Sequence, residues 1–181
     1  ILGLSMIAPI LTQFFYDEFD SSFISSGIVT IIFGILFLLS NLDHDKKISL
    51  PQAFLLTALS WLSIAVFGSL PFIFSEINLS ATDAFFESMS GITTTGSTII
   101  TNLNETPKSI LLWRGMLQWL GGIGIIVMAI TLMPLMNIGG MQLFIISTSD
   151  TPEKILPRSK EIALRLILVY SGLTFICALF Y

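Results

Sequence analysis

Long apolar runs cut apart by short charged islands constrain this chain more than any single motif in it. Five can be placed: Ile1 to Tyr16, Phe23 to Leu42, about Leu50 to Ile77, Ser109 to about Leu135, and Ile162 to Tyr181. A helix needs about 20 predominantly apolar residues to cross a hydrocarbon core, and all but the first run approach or exceed that length. A soluble bundle of buried helices would need polar faces on its outer members, and those faces are missing. Only 11% of residues are charged and 54% are hydrophobic, against about 25% charged in an ordinary globular domain. The expected class is therefore an all-α integral membrane protein surrounded by lipid. Ile1 to Tyr16 is short, and it lacks the basic start and small-residue cleavage site of a signal peptide. The chain opens on Ile, so its natural start is expected to lie upstream. Pro51 suits a first helical turn, and Pro71 is expected to bend the outer end of the third run.

Between the third and fourth runs lies Ser80 to Asn104. Ala84, Phe85, Phe86 and Met89 make its first half apolar enough to enter a membrane. A helix from Thr82 to Ser90 is nevertheless far too short to cross one. Ser80 and Asp83 have the spacing of a capping box at its start, and Gly91 is expected to end it. Beyond stand Thr93, Thr94, Thr95, Gly96, Ser97 and Thr98. Irregular backbone at membrane depth survives only where protein or a water-filled cavity satisfies it. A re-entrant loop lining a pore meets that condition; a threonine- and glycine-rich linker between two helices is the alternative.

Charge sets the orientation. Lys46, Lys47, Lys154, Arg158, Lys160 and Arg165 fall on one side, and only Lys108 and Arg114 on the other. The first group is expected to face the cytoplasm, which puts the re-entrant segment on the outer side. Asp17, Glu18, Asp20, Glu76, Asp83, Glu87 and Glu105 share that side. They would concentrate cations near an outer mouth, or, for Asp17, Glu18 and Asp20, merely solvate short loops.

Consecutive carbonyls in an extended strand can replace the water shell of a cation without adding formal charge. Aiming successive carbonyls at one axis demands unusual dihedrals, which Gly96 supplies because it has no Cβ. Thr94 and Thr95 stiffen the strand through their β-branches. The short helix ahead of it directs its partly negative C-terminal end toward the same place. Glu87 is the one acid in the apolar part of the segment; it is expected to accept buried hydrogen bonds and hold the helix rather than touch an ion. Gly121, Gly122 and Gly124 allow close approach of a neighbouring helix. As a nucleotide loop they fail, because no strand precedes them and no acidic partner follows. Trp113 and Arg114 are expected as an interfacial anchor, with pairing of Arg114 to Glu87 or Glu105 as the alternative. Trp61 and Trp119 are expected to pack.

Phe86-Glu87-Ser88-Met89-Ser90-Gly91-Ile92-Thr93-Thr94-Thr95-Gly96 resembles the first pore loop of the Trk/Ktr/HKT potassium transporters, in their TrkH form. The run from Trp113 to Ile126 is similar to that family's signature after the loop. Gly139 to Phe144 with Leu156-Pro157-Arg158 is similar to its following cytoplasmic connection. The resemblance implies four helix–pore loop–helix units around one pore, of which this chain holds the first and the start of the second. Residues 1–47 would form two leading membrane helices, 48–136 the first unit with its filter strand, 137–160 the connection, and 161–181 the first helix of the next unit. The resemblance also makes Thr94, Thr95 and Gly96 the potassium-coordinating positions, flanked by Thr93 and Ser97, with Glu87 and Gly91 supporting the pore helix. Ser97 and Thr98 depart from the tetrameric channel filter, TVGYG, which has tyrosine and glycine there, so the strand has fewer anchors. A homodimer and a TrkA-like cytoplasmic nucleotide-binding subunit are the partners implied, and potassium is cargo, with no cofactor expected.

Other chemistry finds little support. His44 sits among Asp43, Asp45 and Lys46 as a solvated loop residue, and Cys177 has no second cysteine to bond. Neither a metal-ligand cluster, a nucleophile–base set, nor a basic aromatic surface for nucleic acid can be assembled. Met141, Leu143, Phe144, Ile145 and Ile146 suit a segment lying at the membrane interface. The remaining alternative is a non-conducting membrane scaffold or assembly protein in which 91–104 is only a linker.

Overall fold

The computed structural model of the chain describes residues 1–40, 49–132 and 155–180. Every regular element among them is helical: α1 Leu2–Ser5, α2 Ile7–Tyr16, α3 Ser22–Ser40, α4 Leu50–Phe74, α5 Ala81–Ile92, α6 Lys108–Leu132 and α7 Ile155–Phe180. The charged loop around His44 and the Gly139–Phe144 connection lie outside the described residues.

Among the described residues, four helices are long and apolar enough to span a membrane, through Ser22–Ser40, Pro51–Phe74, Lys108–Ala129 and Glu161–Phe180. The first apolar run is not among them. It breaks at Met6 into α1 and α2, and the whole of Leu2–Tyr16 stays below spanning length. Large apolar side chains lie open along these helices, including Leu36, Phe37 and Leu38 of α3 and Leu55, Leu56 and Leu59 of α4. Contiguous exposure on that scale is untenable in water and natural against lipid. Within α4, the hydroxyls of Thr57, Ser60 and Ser63 each bond the carbonyl four residues back, so these hydroxyls are not left open to the hydrocarbon.

Helix ends follow local chemistry. Ser49 precedes α4, and its N–H donates to Gln52 Oε1 at 2.9 Å, with proline in the first turn. Ser80 Oγ accepts the Asp83 N–H at 3.2 Å and starts α5. Asp17 closes α2 in a left-handed conformation, φ 53°. Glu18 then reaches 90 residues along the chain, and its Oε2 accepts the Lys108 N–H that begins α6, at 2.8 Å. A carboxylate there satisfies an orphan donor and complements the helix dipole.

Two compact units divide the chain, Ile1–Gly122 and Ile123–Tyr181. The core of the first is built from Met6, Phe23, Phe72, Ala84, Ile110, Trp113 and Leu117. Trp113 corrects the expectation of an interfacial anchor: it is fully buried, stacks edge-on to Phe23 at 6.1 Å, and donates from Nε1 to the Gly68 carbonyl at 2.9 Å. In the second unit, Ile123, Ile126 and Val127 share a small apolar cleft with Leu166, Ile167 and Tyr170. Helix α7 is described from Ile155 rather than Ile162, so residues 158–160 belong to its backbone. Pro157 does not prevent this, since the N–H it lacks has no intrahelical partner in a first turn.

Candidate functional site

Helix α5 has 12 residues, about 18 Å at 1.5 Å per residue, roughly half a membrane. It does not stop at Gly91 as expected but runs one residue further, to Ile92. The residue that turns the chain is Thr94, at φ 59°. The Thr94 N–H donates to the Gly91 carbonyl at 2.9 Å and the Thr95 N–H to the Ser90 carbonyl at 3.0 Å. That pair of bonds is the Schellman termination, which ordinarily puts glycine at the left-handed position. A β-branched residue there stores about 1–2 kcal/mol of strain. Gly91 has a different part, since a Cβ on it would stand 3.0 Å from Leu117 Cβ. It lets α5 lie close on α6.

Thr93 to Ile99 form an exposed, irregular strand. The Gly96 N–H also points back to the Ser90 carbonyl, at 3.3 Å. Three consecutive donors, those of Thr94, Thr95 and Gly96, are thus turned toward α5. All peptides among the described residues are trans, and a planar trans peptide sets each carbonyl opposite the following N–H. The carbonyls of Thr93, Thr94 and Thr95 therefore face away from α5, toward the open side. Gly96 has φ 77°, so positive φ recurs two residues after Thr94. Behind Gly96 is α6, where a Cβ would meet Gln118 Nε2 at 3.3 Å.

Beyond Gly96 the strand is held by side chains. Ser90 Oγ donates to the Ser97 carbonyl at 2.7 Å, so that carbonyl is turned back to α5, unlike its predecessors. Thr93 Oγ1 bonds the Met89 carbonyl and lies 2.9 Å from Thr95 Oγ1. Glu87 Oε1 accepts both the Thr98 hydroxyl and the Ile99 N–H, the latter at 2.7 Å. Glu87 Oε2 accepts Arg114 Nε at 2.8 Å, with the glutamate side chain wholly buried. Glu87 is thus the expected buried acceptor, and the alternative partner of Arg114 is the one realised. Glu105 instead accepts Asn102 Nδ2.

Gly121 stands directly behind Ile92, and a Cβ there would collide with the Ile92 carbonyl. Gly122 and Gly124 are half-buried. Among the described residues no group of three or more His, Cys, Asp or Glu could hold a metal. Sequence reading missed Ser90, Thr98 and Gln118 as parts of this arrangement. A serine seven residues before its carbonyl partner and a threonine eleven after its carboxylate carry no local signature.

Residues 20–181 match the TrkH family of cation transport proteins. The chain is 40% identical to the Trk system potassium uptake protein TrkI of Halomonas elongata, across its whole length and 37% of the relative's. It is 41% identical to the Trk system potassium uptake protein TrkH of Escherichia coli, across 97% of this chain and 37% of that one. The crystal structure of the potassium transporter TrkH from Vibrio parahaemolyticus superposes with TM-score 0.78 at 37% identity, covering 98% of this chain and 35% of that one. The chain thus spans a little over a third of the length of these relatives. Four apolar spans and relatives of this kind make it a multi-pass protein of the bacterial inner membrane. On the match of all but its first 19 residues, the chain belongs to the TrkH family of cation transport proteins.

Proposed function

We propose that this chain lines part of a potassium-conducting pore, with Thr93 to Ser97 as one strand of its selectivity filter and α5 as the pore helix of a re-entrant loop. The observation that carries the reading is the row of three N–H groups turned to α5, which leaves the carbonyls of Thr93, Thr94 and Thr95 facing the open side. Such a row can take the place of an ion's hydration shell. Gly96 supplies the second positive φ. Ser97, expected to flank the ion, is assigned to anchoring because its carbonyl accepts the Ser90 hydroxyl. The C-terminal end of α5 adds a partial negative charge of about half an electron near the strand. Flux through the pore would follow the membrane potential, worth about 2.3 kcal/mol per charge per 100 mV.

In the same reading residues 48–136 are one pore unit. Residues 1–47 precede it, 137–160 connect it to the next, and 161–181 begin that next unit. Three further units complete the ring. Relatives named as Trk system potassium uptake proteins support potassium as cargo. The family resemblance supports a homodimer working with a TrkA-like cytoplasmic nucleotide-binding subunit.

The test is rubidium uptake with sodium competition, in cells lacking their own potassium uptake and expressing the complete coding sequence or its Gly96→Asp form. Saturable uptake that resists sodium and disappears in the variant, at equal membrane abundance, is the expected result. Equal uptake in both forms overturns the filter assignment. No uptake from either form favours the scaffold alternative.

A further inference from the structure

One face of α6 lies against the last turns of α5 and against Gly96 of the strand. Arg114, Leu117, Gln118 and Gly121 stand at positions i, i+3, i+4 and i+7 and so share that face. Leu117 packs on Gly91, Gln118 lies behind Gly96, Gly121 lies behind Ile92, and Arg114 bonds Glu87. The two ends of the strand are held differently. Up to Gly96 the bonds run from backbone to backbone, into the Gly91 and Ser90 carbonyls. From Thr98 outward they run to one carboxylate, that of Glu87. The outer end is therefore only as well placed as that side chain.

We propose that Arg114 is a positioning residue that sets the ion selectivity of the strand, by fixing the Glu87 carboxylate that holds Thr98 and Ile99. The proposal rests on the filter reading above and assigns within it a residue that touches neither ion nor strand.

Three features support it. The two carboxylate oxygens divide their work: Oε2 takes Arg114 Nε, and Oε1 takes both donors of the strand. A rigid grip on the first oxygen therefore orients the second. Burial makes the grip necessary, because the Glu87 side chain is 0% exposed and that of Arg114 only 16%. A carboxylate removed from water persists only with a charge partner and further hydrogen bonds, and here it has both. Finally, the bond uses Nε, whose direction is fixed by the planar guanidinium; a lysine ammonium on a flexible stem cannot reproduce it. Discrimination between cations of different radius requires carbonyls that resist closing on the smaller ion. A strand released at Thr98 and Ile99 loses that resistance.

The experiment measures the sodium concentration that halves rubidium uptake in cells expressing the complete coding sequence or its Arg114→Gln, Arg114→Lys, Thr98→Val and Gly96→Asp forms. This is a ratio within one sample, so protein abundance does not enter it; a merely structural role would lower abundance and leave the ratio alone. The expected result is about a tenfold fall in that concentration for Arg114→Gln, the equivalent of one charge-assisted hydrogen bond. Arg114→Lys and Thr98→Val should shift the same way by less. If Arg114→Gln does not reach the membrane, those two decide, since each keeps the local volume close to the original. Unchanged sodium competition in Arg114→Lys and Thr98→Val, with Gly96→Asp inactive, overturns the proposal and leaves the filter standing. Normal uptake by Gly96→Asp overturns the filter reading, and this proposal with it.

Discussion

Substituting Gly121 by alanine tests the packing of α6 on α5 most directly. A methyl built on Gly121 would collide with the Ile92 carbonyl oxygen and stand 2.7 Å from its carbon and 3.1 Å from Cα. All three obstacles are backbone, so no side chain can rotate away and the two helices must separate. Over-packing of this kind costs about 1–3 kcal/mol, and the lack of a movable neighbour puts the cost at the upper end. Alanine returns about 1 kcal/mol through helix propensity. The balance is a loss of about 2 kcal/mol, equivalent to a fall in Tm of about 4–8 °C at the sensitivity of a chain this size. Gly115 is the matched control, on the same helix, with nothing within 4 Å of its Cβ position. Thermal unfolding of the purified protein in detergent, followed by size-exclusion chromatography, should place Gly121→Ala well below the unmodified protein and Gly115→Ala at or slightly above it. Equal melting of the two variants would refute the close backbone approach between α5 and α6.

Glu87→Ala should be the most damaging change near the strand. It leaves the Thr98 hydroxyl, the Ile99 N–H and the Arg114 guanidinium without their acceptor, at a cost of about 3–5 kcal/mol, and its abundance in membranes should fall sharply, as read by immunoblot. Thr94→Gly should raise Tm, because releasing about 1–2 kcal/mol of left-handed strain exceeds the roughly 0.5–1 kcal/mol entropy cost of glycine. Gly96→Ala, at φ 77° with Gln118 Nε2 close behind, should lower Tm in the same assay. Trp113→Phe keeps the ring on Phe23 but removes the bond to the Gly68 carbonyl; a loss of about 1 kcal/mol should appear as a small drop in Tm.

How much could be read in advance depended on the range of the interaction. The long spans, the serine that starts α5 and the positive φ of Gly96 each arise from residues within a few positions of one another, and the sequence carried them. Orientation about a helix axis was harder. In an α6 that is apolar nearly all round, no periodic polar stripe marks which side packs, so Trp113 read as an outward anchor although it lies fully buried. The end of α5 misled for another reason. Local rules place the left-handed residue at glycine, and Gly91 was available, but tertiary packing against Leu117 took it for close approach and left the turn to Thr94. Contacts such as Thr98 with Glu87 exist only once α5 and the strand have folded back on each other, and no local pattern announces them.

The bond between Glu18 and the Lys108 N–H has a consequence for how the protein is made. Glu18 emerges from the ribosome 90 residues before its partner. By the time α6 is synthesised, the turn between α2 and α3 has already been made. The leading helices then come before α6 in the order of synthesis, and they carry the acceptor for the first donor of its first turn. Moving them to a separate polypeptide, or delaying their insertion, would leave α6 to enter the bilayer with its first donor unmet.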